Sequence, residues 1–170
     1  MNKVPDILTS RLISAISLQF NLSLDGIHGK SHWARVLDNG LRLAGLNGAN
    51  TNVVSLFALF HDSQRINDAR DDDHGKRGAE LAFTMRNHYF DISNTEFDLL
   101  YAACELHTDG LTESDLTIQT CWDADRLDLG RVKIEPDPAY LCTLHAKEPQ
   151  TLKWANSRAK ARYLSKSLER

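Results

Sequence analysis

The chain has 170 residues, 42% apolar and 25% charged, with a net charge of −3 and a pI near 6.1, which suits one globular domain with a sizeable core. That balance excludes a general nucleic-acid binder, whose footprint is a clearly basic domain, and no apolar run approaches the roughly 18 residues of a membrane span. No signal-peptide core follows Met1, and three cysteines (Cys104, Cys121 and Cys142) lie in apolar sequence; the expectation is a cytoplasmic protein with reduced core thiols.

Strand signals are scarce and the helical period recurs, so the predicted class is all-α, a bundle of about six to eight helices. Pro5-Asp6 opens a first helix to about Phe20, with Leu8, Leu12 and Ile16 on one face. A polar turn from Asn21 to Gly29 leads to a second helix, ending near Leu46 at the C-cap signal Asn47-Gly48. Its stripe is Trp33, Val36, Leu37, Leu41 and Ala44, with His32 beside it. The third helix, Asn52 to Asp62, has almost no polar face: every residue from Val53 to His61 except Ser55 is apolar or histidine. A helix of that kind runs through the middle of a protein.

Ser63 to Asp73 is a charged loop with three consecutive aspartates, most simply a solvated one. His74 starts a helix to about Phe90, with Gly78, Leu81, Ala82 and Met85 on one side. Ser93 to Glu96 is a capping box for the next, whose stripe is Leu100, Ala103, Cys104 and His107. Thr112 to Asp115 opens a helix to about Leu129, with Ile118, Cys121, Trp122, Asp125 and Leu129 on one face. After a break at Glu135 to Pro138 come a short helix, Ala139 to Ala146, and a last one, Gln150 to Leu168. Residues 151–170 carry six basic side chains and one acidic. They suit a solvated terminal helix packed through Leu152, Trp154, Ala155 and Leu164; a phosphate or partner surface is the alternative.

Three inward polar residues need a physical reason. An unpaired carboxylate on an apolar face costs several kcal/mol in desolvation or stays protonated, and Asp125 is placed there. His107 and His61 end apolar stripes in the same way. A bound cation removes the penalty. Single inward histidines are usually satisfied core residues; several on separate helices, grouped with carboxylates near helix ends, point to metal.

The ordered set His32, then His61-Asp62, then Asp125, with its contexts Ser31 to Val36, Leu59 to Asp62 and Asp123 to Asp128, resembles the HD-domain metal-dependent phosphohydrolase superfamily over about residues 28–131. The segments His74 to Ala79 and Leu106 to Gly110 resemble those of its two-metal subset, which includes symmetrical dinucleoside tetraphosphate hydrolases and cyclic dinucleotide phosphodiesterases. No Gly-Tyr-Pro segment of the cyclic-di-GMP enzymes is present. The resemblance implies a single HD-type domain over 1–170, with 139–170 as C-terminal helices outside the shared region.

It implies a first metal on His32, His61, Asp62 and Asp125, and a second on His74 and His107, bridged by Asp62. It implies hydrolysis of a phosphoester or phosphoanhydride of a phosphorylated small molecule, most simply a nucleotide. That ligand set suits Fe or Mn, with Ni, Co, Zn or Mg as substitutes. Asp62, Arg65 and Lys76 are the candidate catalytic residues, the last two with Arg77 as phosphate binders. His28 reads as a turn residue at the site mouth, Arg126 and Asp128 as structural salt-bridge partners, and His88 and His145 as uninvolved. A homodimer is an open possibility. The alternatives are a one-metal nucleotidase, in which His74 and His107 bind substrate, and a non-catalytic nucleotide-binding module.

Overall fold

The computed structural model describes residues 3–169; Met1, Asn2 and Arg170, which the expected domain includes, lie outside the described residues. Those described form eight α-helices and two short 3-10 turns, with one isolated bridge between Arg86 and Phe90 and no strand. The all-α expectation holds.

Helix α1 spans Ser10–Gln19, starting later than Pro5. The Pro5 carbonyl accepts from Leu8 N–H in a turn, and the Thr9 hydroxyl caps the helix by accepting from Leu12 N–H. Helix α2, Lys30–Asn47, ends at Gly48, whose positive φ of 81° closes the cap. Asn50 caps α3, Thr51–Phe60, by accepting from the backbone of Asn52 and Val53, and α3 is buried from Val53 through Phe60.

Around α3 lie α2, α4 (His74–Met85), α5 (Asn94–Glu105) and α6 (Leu116–Arg126). The core is continuous across them, with Trp33, Leu37, Leu56, Phe57, Phe60, Leu100 and Trp122 essentially sealed from water. Each such side chain contributes about 1.5–3 kcal/mol relative to exposure. The Trp122 indole N–H is not wasted: it donates to the Ala103 carbonyl at 3.1 Å.

Helix α4 stops at Met85 rather than Phe90. Arg86 turns extended and Asn87 takes a left-handed φ of 64°, and Asn87 N–H donates to the Phe90 carbonyl. The capping box at Ser93 and Glu96 forms as expected, and Asp115 caps α6.

The region after α6 departs most from expectation. In place of a helix from Ala139 to Ala146 there are a 3-10 turn, Pro138–Tyr140, and a single helical turn α7, Leu144–Lys147. The cause is Asp123, whose buried carboxylate accepts from Cys142 N–H, Thr143 N–H and the Thr143 hydroxyl, pinning an extended segment. Helix α8 spans Pro149–Lys160 and ends well before Leu168. Arg162 adopts a φ of 47° and the tail folds back along α2, where Arg35 donates to the Tyr163 carbonyl and Ser167 donates to Asp38. Ala155 packs into the core and Leu152 and Trp154 lie partly against it, but Leu164, expected there, is 76% exposed.

Candidate metal centre

Six side chains from five elements meet at one end of α3. His32 comes from the first turn of α2, His61 and Asp62 from the end of α3, His74 from the start of α4, His107 from just beyond α5, and Asp125 from the last turn of α6. All but Asp125 are at least nine-tenths buried.

The imidazoles form two pairs. His32 Nε2 stands 3.0 Å from His61 Nε2, and His74 Nε2 stands 2.9 Å from His107 Nε2. The other nitrogen of each ring is committed. His32 Nδ1 meets Asp128 Oδ2 at 2.7 Å, His61 Nδ1 the Phe57 carbonyl at 3.1 Å, His107 Nδ1 the Cys104 carbonyl at 2.7 Å, and His74 Nδ1 the Asp71 carbonyl. These partners only accept, so each Nδ1 carries a proton and each Nε2 is the nitrogen left to face a metal. Two bare Nε2 atoms facing across 3 Å repel unless a proton or a metal ion lies between them. With metal–nitrogen bonds of about 2.1 Å, two ligands at a right angle stand about 3.0 Å apart, the separation seen in both pairs.

Asp62 lies between the pairs and divides its oxygens. Oδ2 faces His32 at 3.5 Å and His61 at 3.7 Å; Oδ1 faces His74 at 3.0 Å and His107 at 3.7 Å. His32, His61 and Asp62 could hold one ion, and Asp62, His74 and His107 another. Asp125 Oδ1 sits 3.4 Å from His32 Nε2 and 3.8 Å from His61 Nε2; it is buried without a hydrogen-bond partner. Such an orphan acceptor is rare in a folded protein and fits a cation site.

Charge in the cluster is unevenly held. Burial and Arg131 push the His32 imidazole down, but Asp125, Asp128 and Asp62 outweigh them and raise it to about 9. Burial holds His61 neutral, lowered to about 3. Burial would raise Asp62, yet its electrostatic coupling to His61 and hydrogen bonds with His107, His28 and His32 keep its carboxyl well below the usual range; Asp125 is lowered in the same way, chiefly by its contacts with His32 and His61. In the protein alone, a proton on His32 therefore compensates carboxylates that a metal would otherwise neutralise.

Arg65 is buried, its guanidinium 3.0 Å from His74 Nε2 and 3.7 Å from Asp62 Oδ1, while its other amine donates to the Ala69 carbonyl. Lys76 is exposed and is not brought against the cluster. Arg77 pairs with Asp71. His28 is in a turn, as read, but its Nδ1 lies 2.6 Å from Asp62 Oδ2, a direct contact with the central carboxylate. Asp128 does form a salt bridge, with Arg35 at 2.7 Å, and it also orients His32. The i,i+3 spacings Asp125–Asp128 and His32–Arg35 were the signal for that support, since one turn puts each pair on one face. Arg126, expected as a salt-bridge partner, forms no ion pair among the described residues and instead donates to the Tyr140 and Leu111 carbonyls.

Close packing sets the second pair. A Cβ on Gly75 would stand 2.3 Å from the Cys104 carbonyl and 2.9 Å from His107 Nδ1, and one on Gly78 would stand 2.2 Å from the Phe60 carbonyl. Only glycines let α4 approach α5 and the end of α3 this closely.

No protein-family model matches the chain, and no curated protein matches it. Among solved structures it is similar to the crystal structure of a predicted HD superfamily hydrolase from an uncultured Thermotogales bacterium. The TM-score is 0.67 at 24% identity, over 89% of this chain and 87% of that one. The fold is therefore that of the HD-domain helical bundle, and within it the His-Asp cluster offers two groups of side chains that could hold a metal ion.

Proposed function

We propose that this chain is a metal-dependent phosphohydrolase acting on a phosphoester or phosphoanhydride of a nucleotide-like substrate. The observation that carries the reading is the pair of Nε2···Nε2 approaches, 3.0 and 2.9 Å, with one oxygen of Asp62 turned to each. His32, His61, Asp62 and Asp125 would hold one ion; His74, His107 and Asp62 would hold the other. Bound there, divalent metal supplies a nucleophilic hydroxide at neutral pH and charge compensation for the phosphoryl oxygens. Fe or Mn suits mixed imidazole and carboxylate ligands best, with Ni, Co, Zn or Mg as substitutes.

The chain's own contribution is orientation. The four Nδ1 acceptors fix each ring's tautomer, Asp128 holds His32, and His28 holds Asp62 Oδ2. Asp62 stays ionised at neutral pH. Arg65, against Asp62 and His74, adds positive charge on the side where substrate phosphate would enter. The net reaction adds water oxygen to phosphorus, breaks the phosphorus–oxygen bond and passes a proton to the departing oxygen.

A one-metal nucleotidase is the second reading, and the position of Arg65 favours it: a guanidinium 3.0 Å from His74 Nε2 already supplies a cation to the second triad. Elemental analysis of protein purified without nickel or chelator separates the two. Two equivalents per chain, falling to about one in His107→Ala, are expected. One equivalent, unchanged in His107→Ala, would select the one-metal reading. No metal after reconstitution with Mn or Fe would overturn both and leave a nucleotide-binding module. A panel of dinucleotides, cyclic dinucleotides and mononucleotides then assigns the substrate.

A further inference from the structure

We propose a second ligand site, separate from the metal centre, for a small organic anion that carries a planar ring. It is a cavity of about 550 Å3 between α2, α8 and the returning C-terminal tail, within the size range of small-molecule sites. It shares no residue with the His-Asp cluster. Along α2, Arg42 on its wall lies about 15 Å beyond His32.

The lining has two kinds of surface. Leu41, Leu46, Trp154 and Tyr163 supply apolar and aromatic faces, and Arg42, Arg158 and Lys166 supply three cations. Only Asp38 opposes them, and it is already engaged by Arg158 and Ser167. Among the described residues neither Arg42 nor Lys166 forms an ion pair within 4.0 Å. Glu148, which feels Arg42 at longer range, is taken up by His145 and Gln150.

The arginines are packed on rings. Arg42 and Arg158 each lie 4.8 Å from the Trp154 ring centre, and Arg158 also lies 4.0 Å from that of Tyr163. Such stacking holds guanidinium groups in place but does not neutralise them. Independently, Arg158 Nε is buried with no hydrogen-bond partner, a donor left unsatisfied at a cost of about 1–3 kcal/mol. An anion beside Arg42 and Lys166, the two cations without an ion-pair partner among the described residues, offsets their charge, and an attached ring meets the aromatic and aliphatic side chains of the lining. Inorganic phosphate has no group for those walls.

Calorimetric titration of the full chain tests this with three probes: AMP (ring and phosphate), phenylacetate (ring and carboxylate) and inorganic phosphate. The wild type is compared with Asp62→Asn, which removes the bridging carboxylate of the metal centre. At least one ring-bearing anion is expected to bind once per chain in Asp62→Asn, more tightly than inorganic phosphate, and the wild type is expected to keep that equivalent beside any bound at the metal centre. AMP alone would assign the phosphate class, phenylacetate alone the carboxylate class, and both the shared chemistry. Arg42 and Lys166 are exposed, so Arg42→Glu with Lys166→Glu leaves the core intact and should weaken binding roughly tenfold or more. Should that double variant misfold, Arg42→Gln with Lys166→Gln provides the same comparison. The proposal fails if neither ring-bearing anion binds Asp62→Asn with a Kd below about 1 mM, if inorganic phosphate binds as tightly, or if the charge variants bind unchanged. Binding confined to the wild type would assign it to the metal centre instead and also overturn the proposal.

Discussion

Asp128 links two jobs, accepting from His32 at 2.7 Å and pairing with Arg35. Removing its charge in Asp128→Asn leaves a buried guanidinium uncompensated, a loss of about 3–5 kcal/mol. It should also weaken metal binding roughly 10–100-fold, read by competition with a chromogenic chelator. Burial would raise the Asp128 carboxyl, but His32 and Arg35 bring it below its ordinary value. Its contribution is thus present above the unfolded value of about 3.9 and lost as pH falls through the folded value. His32 has the opposite sign. Raised to about 9 against 6.5, it contributes stability that is complete below pH 6.5 and lost as pH rises toward about 9. Melting curves of chelator-treated protein should therefore drop across that window, whereas metal-loaded protein, with a metal in place of the His32 proton, should show a much flatter profile.

Helices α4 and α5 owe their placement to unlike devices, and the devices are separable. Ser93 accepts from Glu96 N–H and the Glu96 carboxylate accepts from Ser93 N–H, so Ser93→Ala should cost about 1 kcal/mol. In a chain of this size that is about 2–4 °C in Tm, with metal content unchanged. Gly75→Ala acts at the other end of the α4–α5 contact, where a methyl would collide with the Cys104 carbonyl and His107. Its expected effect is selective: of the two proposed metal equivalents one is lost, by elemental analysis, because the His74–His107 pair is forced apart while His32 and His61 are untouched. A Gly75→Ala protein that keeps two ions would show that α4 can shift without cost to the second pair.

At the scale of the molecule, the metal cluster and the C-terminal tail are joined by one run of hydrogen bonds, from the Tyr163 carbonyl through Arg35 and Asp128 to His32. Deleting residues 161–170 removes the Tyr163 and Ser167 partners of Arg35 and Asp38. Thermal melts of the shortened chain should show a Tm several degrees lower, since two buried or half-buried charged groups each lose a partner worth about 1.5–3 kcal/mol. Metal content should stay unchanged, since every proposed ligand lies before residue 126. No described helix is long and apolar enough to cross a membrane.

The sequence by itself determined the all-α class, the buried third helix, the Gly48 C-cap, the Ser93–Glu96 capping box and the six side chains that now meet. Those properties are local: periodicity sets which residues face inward, and cap chemistry sets most helix starts. Tertiary structure alone decided what those side chains do to one another. The Nδ1 partners, the division of Asp62 between two histidine pairs, the contact from His28 and the support of His32 by Asp128 join residues up to 96 positions apart, beyond the reach of any helical period. The early ends of α4 and α8 and the strap at Cys142 and Thr143 were equally hidden. There the apolar pattern continues, and the backbone is turned instead by a left-handed residue, a returning tail or the carboxylate of Asp123.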